Sequence, residues 1–202
     1  MRQEERKERS KEKILQAALE EFATNGYEAV NIEGICTRHH ISKGMMYHYY
    51  TSKDDLLLAC IRSTFEALED KIKNESVSIK DGPVLERIRD YLMIREYYFI
   101  DHPLQKKIFE IAIIKTPTTL AKTISELHQP LKRLNHEFIS KEIKKSKLRS
   151  DVTQDQIMRY LEVIDRFLLD IVRSYSTEIS DIDGLFQSTE EVLDLILYGV
   201  LS

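Results

Sequence analysis

The sequence predicts an all-α protein, a small three-helix unit carrying a helix-turn-helix and then a larger helical remainder. Three observations lead there. Long stretches place apolar residues at helical period between charged ones. Only 6 Gly and 4 Pro punctuate the 202 residues, so turns are few. Finally, the stretch Ile41-Ser42-Lys43-Gly44-Met45-Met46-Tyr47-His48-Tyr49-Tyr50 opens with a capping Ser and carries Lys, Gly and Tyr at helical spacing. A short helix, Ile32 to His39, precedes it across a tight connection. Two short helices joined by such a turn suit a DNA major groove.

The first helix is expected from Ser10, as cap, to Thr24, with Ile14, Ala18 and Phe22 recurring every fourth residue beside Leu15 and Leu19. Asn25-Gly26 ends it, with Gly26 free to take a left-handed conformation. Residues 1–9 read as a mobile charged arm whose basic and acidic residues alternate. Asn31 caps the second helix, with Ile32, Ile35 and Cys36 as its apolar stripe. Ser42 caps the third, on which Met46 and Tyr50 face the core. Ser52 with Asp55 resembles a capping box opening a fourth helix that runs to about Asn74 and buries Leu56, Leu57, Cys60, Ile61 and Phe65.

Residues 76–82 read as a loop, and Pro83 suits the first turn of a helix to about Ile100. Asp101-His102-Pro103 breaks the chain before a helix from Leu104 to Ile114, and Thr116-Pro117 breaks it again. Thr118 to Lys147 is one long helical pattern with Pro130 inside, which predicts a kink or two helices. Thr153 with Gln156, and Ser188 with Glu191, form capping boxes for the last two helices. About nine or ten helices result. Ile157, Tyr160, Leu161, Ile164, Phe167, Leu168 and Ile171 line one stripe, and only Asp194 interrupts an apolar run from Val192 to Leu201. Helices apolar on nearly every side are buried on every side. A partner subunit is therefore expected on them, through Ile164, Leu168, Ile171, Val192, Ile196 and Val200.

Composition narrows the function. The chain carries a formal charge of −4. Residues 1–53 hold 9 Lys and Arg against 8 Asp and Glu, and residues 54–202 hold 21 against 26. An acidic bulk excludes general coating of nucleic acid, so DNA would be met through a local surface, with affinity falling steeply in salt. Cys36 and Cys60 lie among apolar residues of predicted helices, which fits inert thiols in a reducing cytoplasm. No apolar run approaches the length of a membrane span, and the charged N-terminus is unlike a signal peptide. No phosphate loop, nucleophile elbow, His-Glu-x-x-His or paired-cysteine motif points to an enzyme. No cofactor or metal is expected; His39, His40 and His48 have no Cys partners or matched acid, and turn and phosphate roles explain them better.

On the reader helix, Ser42 suits a phosphate and Lys43 a base edge or phosphate. Gly44 lets the backbone approach the bases closely, and Met45 offers an apolar surface to a thymine methyl. Tyr47 and His48 carry polar tips for phosphate oxygens, and Lys53 adds a cation at the start of the next helix. In the remainder, Tyr91, Tyr98, Phe109, His128, Tyr160 and Phe167 are the candidates to line a small-molecule cavity, with Arg95, Glu96, Arg166 and Asp170 as polar contacts.

The order of residues resembles the DNA-binding domain of TetR-type (tetracycline-repressor-like) transcriptional regulators over residues 10–57. The matching elements are Ile14-Leu15-x-Ala17-Ala18-x-x-x-Phe22, Gly26-Tyr27, Ile32-x-x-Ile35, Ser42-Lys43-Gly44-x-x-Tyr47-x-Tyr49-Tyr50 and Ser52-Lys53-x-x-Leu56. The resemblance implies a DNA-binding domain at 1–52 and a helical ligand-binding and dimerisation domain at 53–202. It implies a cytoplasmic homodimer on a palindromic double-stranded operator, repressing until a small-molecule effector releases it. Lys43, Gly44 and Met45 would face bases, while Asn31, Ser42, Tyr47, His48 and Lys53 would hold phosphates. The chain departs from the pattern at the turn, where His39 and His40 replace a small residue and a Gly; position 40 is expected to need a left-handed conformation. The rival reading is a dimeric binding or scaffolding module whose helix-turn-helix regulates nothing.

Overall fold

The computed structural model describes residues 3–145 and, beyond them, Thr153, Asp155, Gln156, Arg159 and Val163. Every regular element among them is helical. In order these are α1 (Gln3–Ala29), α2 (Ile32–Arg38), α3 (Lys43–Tyr49), α4 (Lys53–Ser76), α5 (Val84–Asp101), α6 (Pro103–Ile113), a 3-10 turn (Thr118–Leu120) and α7 (Ala121–Ile143). They fall into two compact units. The first holds residues up to Asp70 together with Tyr98–Gln129, and the second holds Lys71–Tyr97 and the described residues from Pro130 on.

In the first unit α1 packs along α6 and against α2 and α3. The expected stripe is its core: Ile14, Ala18 and Phe22 are fully buried, and so are Ile35, Met46, Leu56, Leu57, Cys60 and Ile61. Burial in this apolar setting pushes the Cys60 thiol far above its ordinary value, as expected of an inert core cysteine. Helix α1 is interrupted at Gly26 (φ 74°, ψ 168°). That backbone region is essentially reserved for glycine, so Gly26 ends the straight helix, as the sequence predicts.

Residues 3–9 correct the expected arm: they are helical and continue α1. Ser10 does not cap. Its hydroxyl donates back to the Arg6 carbonyl at 2.9 Å, the alternative that Ser has inside a helix. The segment contains good helix formers, has Glu4 and Glu5 in its first turn, and receives the Tyr49 hydroxyl on the Lys7 carbonyl at 3.1 Å.

In the second unit Tyr91 stacks on Phe138, ring centroids 4.0 Å apart, and its hydroxyl donates to Asn135 Oδ1 at 2.9 Å. Arg87 ties the 77–83 loop down by donating to Glu142 (2.8 and 3.2 Å), the Lys80 carbonyl (2.7 Å) and Asp81 (3.1 Å). The Arg87 guanidinium holds the Glu142 carboxyl below its ordinary value. Helix α7 runs through Pro130 as one element, with Ile124 before the proline and Leu131 after it both buried. Thr153 and Gln156 form the expected capping box: Gln156 Oε1 accepts from the Thr153 amide at 2.8 Å, and the Gln156 amide donates to Thr153 Oγ1 at 3.3 Å. The box expected at Ser188 and Glu191, and the two terminal helices, lie outside the described residues.

Candidate nucleic-acid interface

Local side-chain caps set the two short helices. Asn31 Oδ1 accepts from the Gly34 amide at 2.7 Å, and Ser42 Oγ accepts from the Met45 amide at 3.1 Å. Each satisfies one otherwise orphaned donor in a first turn. Ser52 Oγ likewise accepts from the Asp55 amide at 3.0 Å, while the Asp55 carboxylate returns to the Thr51 amide and hydroxyl, one residue earlier than in a standard box.

The turn between the helices is held from α1. Glu21, only 5% exposed, accepts from Arg38 Nε and Nη2 (2.5 Å each) and Asn25 Nδ2 (3.0 Å), with His39 Nε2 at 3.1 Å. Arg38 above all holds the Glu21 carboxyl below its ordinary value of 4.5. His40 takes the expected left-handed conformation, φ 51°, and its carbonyl accepts from Lys13 Nζ at 3.3 Å.

With the turn fixed, α3 divides cleanly. Met46 and Tyr50 are buried, Met45 is half-buried, and Ser42, Lys43, Gly44, Tyr47 and His48 are exposed. A Cβ built on Gly44 meets nothing within 4 Å. Lys43 Nζ lies 2.5 Å from Glu33 Oε1 on the first turn of α2; each partner favours the other's charged form, lowering the Glu33 pKa and raising that of Lys43. His48 meets Tyr49 edge-on, with ring centroids 4.9 Å apart. Lys53 is half-buried and turned onto Tyr27. Its Nζ donates to the Tyr27 carbonyl at 3.0 Å and lies 4.1 Å from the ring centroid. The Tyr27 hydroxyl donates to Asp54 Oδ1 at 2.5 Å, and the carboxylate pushes its pKa up to about 12.

Residues 14–60 match the model of bacterial regulatory proteins of the tetR family. The HTH-type transcriptional regulator QacR of Staphylococcus aureus is 30% identical over 134 residues, which span 64% of this chain and 64% of that one. The HTH-type transcriptional repressor AcnR of Corynebacterium glutamicum is 29% identical over 189 residues, 93% of this chain and 90% of that one. The match covers the helix-turn-helix and the start of α4, and the longer alignments run on into the helical remainder. Residues 14–60 are thus similar to the DNA-binding region of the tetR family. A transcriptional regulator FadR from Bacillus subtilis, solved in complex with stearoyl-CoA, has the same fold, with a TM-score of 0.75 at 13% identity over 93% of this chain and 98% of that one. The helix-turn-helix and the relatives it resembles are those of DNA-binding transcriptional regulators, and the scaffolding alternative is not favoured.

The aromatic candidates divide between the two units. In the first, Phe65 stacks on His128 (5.1 Å) and meets Phe109 edge-on (5.7 Å), Phe109 packs on Phe99 (5.1 Å), and Phe99 on Tyr98 (5.4 Å). Tyr98 also stacks on His102 at 4.2 Å. Tyr91 belongs to the second unit. Arg95 and Glu96 pair with each other, Nε to Oε1 at 2.8 Å. Tyr160, Phe167, Arg166 and Asp170 lie outside the described residues, as do Ile164, Leu168, Ile171, Val192, Ile196 and Val200. Sequence reasoning missed Glu21, Glu33, Tyr27 and Asp54 around the reader and Phe65 and His102 among the rings, while Phe99 stood among the aromatic residues it singled out on the central helices. Of these, Tyr27 had a signal, standing in the Gly26-Tyr27 element of the family pattern.

Proposed function

We propose that this regulator is a repressor that binds a palindromic operator as a cytoplasmic homodimer and is released by a small hydrophobic or amphipathic molecule. Its reader is residues 1–52 and its controlling domain residues 53–202. The observation that carries the reading is the exposed face of α3, with Ser42, Lys43, Gly44, Tyr47 and His48 outward while Met46 and Tyr50 anchor the helix from behind. In the groove, Lys43, Gly44 and Met45 meet base edges, and Ser42, Tyr47, His48, Lys53 and Asn31 hold phosphates. Two such helices, one per protomer, read half-sites about one helical turn, roughly 34–36 Å, or a similar repeat apart.

The effector is held among the aromatic side chains of the first unit, Tyr98, Phe109 and His128 beside Phe65; Tyr91 of the second unit, with Tyr160 and Phe167, stays a candidate on sequence grounds. Stearoyl-CoA in the Bacillus subtilis FadR structure supports an effector with an apolar body. Dimerisation runs through the terminal helices, with Ile164, Leu168, Ile171, Val192, Ile196 and Val200 at the interface; the apolar stripe and run in the sequence there support it.

The test is selection of genomic fragments by the purified protein at moderate salt, followed by footprinting. A protected palindrome is expected. A folded dimer that protects no sequence defeats the reading. Ile196→Asp should give monomers and lose tight operator binding; a dimer that survives it places the interface elsewhere.

A further inference from the structure

The Glu33–Lys43 pair joins the two helices of the reader on the surface offered to DNA. Lys43 Nζ and Glu33 Oε1 lie 2.5 Å apart, with side chains 59% and 68% exposed. An ion pair this open to water adds little to folding. A carboxylate on the docking face also repels the phosphate backbone, so it lowers affinity for every DNA sequence. Glu33 suits the helix dipole in the first turn of α2, and on this face the same acid also discriminates against partners that offer it no donor.

The pair has a definite chemical pattern. The ammonium has three donors; one is directed to Glu33, which leaves two. Beside them stands a carboxylate, which only accepts. In the major groove a G·C pair presents guanine N7 and O6 as adjacent acceptors, followed by the N4 amino donor of cytosine. Two donors beside an acceptor match that order. An A·T pair places its donor, adenine N6, between the acceptors N7 and O4 and ends on the thymine methyl. There the carboxylate would face O4 or the methyl.

We propose that Glu33 is a specificity-determining residue. With Lys43 it reads one G·C pair in each half-site, the carboxylate taking the cytosine N4–H while the ammonium takes guanine O6 and N7. This rests on the DNA-reading function proposed above and adds to it a residue, a base pair and a partner for Lys43.

The experiment measures binding of full-length wild type, E33Q, E33A and K43A to the selected operator and to variants with each half-site position changed to the other three base pairs. For wild type, replacing one G·C pair should weaken binding about tenfold. E33A should lose that preference at this position alone while binding unrelated DNA more tightly. E33Q, which keeps the size of Glu33, should shift the same position toward A·T, since a Gln amide pairs with adenine N6 and N7. K43A should weaken the operator and flatten preference at the same position. The inference is overturned if E33A and E33Q keep the wild-type preference everywhere, whether or not all affinities rise together, because Glu33 is then only a repelling charge. A wild type that prefers no sequence refutes the underlying function and this inference together; a selective wild type with indifferent Glu33 variants refutes the inference alone.

Discussion

The same substitution, glycine to alanine, should act with opposite sign at Gly26 and Gly44. A Cβ on either meets nothing within 4 Å, so crowding contributes at neither site and backbone conformation decides. Gly26 sits at φ 74°, ψ 168°, where a non-glycine residue costs about 1–3 kcal/mol. Alanine also restricts the unfolded chain, which returns about 0.4–1 kcal/mol. At mid-range Gly26→Ala should therefore lose about 1.3 kcal/mol, a fall in melting temperature of about 3–5 °C for a chain of this size. Gly44 lies in α3 with ordinary helical geometry, where alanine is favoured by roughly 0.5–1 kcal/mol. Gly44→Ala should melt at the same temperature as wild type or a few degrees higher. Its new methyl nevertheless stands on the exposed reader face and holds the backbone away from the bases, so operator affinity should drop in the more stable protein. Thermal unfolding followed by circular dichroism, with operator binding by anisotropy, reads both quantities. A neutral or stabilising Gly26→Ala refutes the conformational argument. Undiminished operator affinity in Gly44→Ala refutes the close approach of α3.

Three further outcomes follow from the reader. Because its carboxyl titrates lower in the folded state than the ordinary 4.5, Glu21 contributes stability above that value, and the contribution is lost as pH falls through the folded pKa; Glu21→Gln should flatten the acid limb of a stability–pH profile, and an unchanged limb would remove Glu21 from the network. His40, held at φ 51°, should gain about 1 kcal/mol on change to Gly, which relieves the left-handed strain; a loss in urea unfolding would mean that the imidazole contributes more than its backbone costs. Lys53→Ala should weaken all DNA alike and lower the salt slope by about one unit; a lower melting temperature with an unchanged slope would make Lys53 solely the support of Tyr27.

What the sequence made legible was local. Asn31 and Ser42 were readable as caps because a side-chain oxygen and the amide three residues on are fixed by the backbone itself. The buried faces of α1 and α4 were readable because helical period is a statement about neighbours on one element. The strain at His40 was readable because the turn demands a left-handed residue whatever surrounds it. Glu21 was not, since its ties to Arg38 and His39 span 17 and 18 residues, and a lone acid on an apolar face carries no mark of its partners. Glu33 and Lys43, ten apart on different helices, hide for the same reason. Ser10 misled because one hydroxyl serves equally to open a helix or to bond back within it, and only the helix-forming run before it, with Tyr49 on Lys7, decides between them.

Tyr27 is gripped at both ends by consecutive residues of α4, its carbonyl by Lys53 and its hydroxyl by Asp54, and it stands between Gly26, where α1 breaks, and Asn31, which starts α2. A shift of the first turn of α4 therefore reaches α3 through the Thr51–Ser52 connection and also reaches the segment between α1 and α2 as a pull on Tyr27 beside a glycine hinge. The second route separates strength from responsiveness: the groups that touch DNA set how tightly the protein holds its site, while the stiffness of the Tyr27 joint helps set how far a movement of α4 is passed on. Sequence drift at Tyr27 or Asp54 could then retune the response and leave the chosen DNA site unchanged.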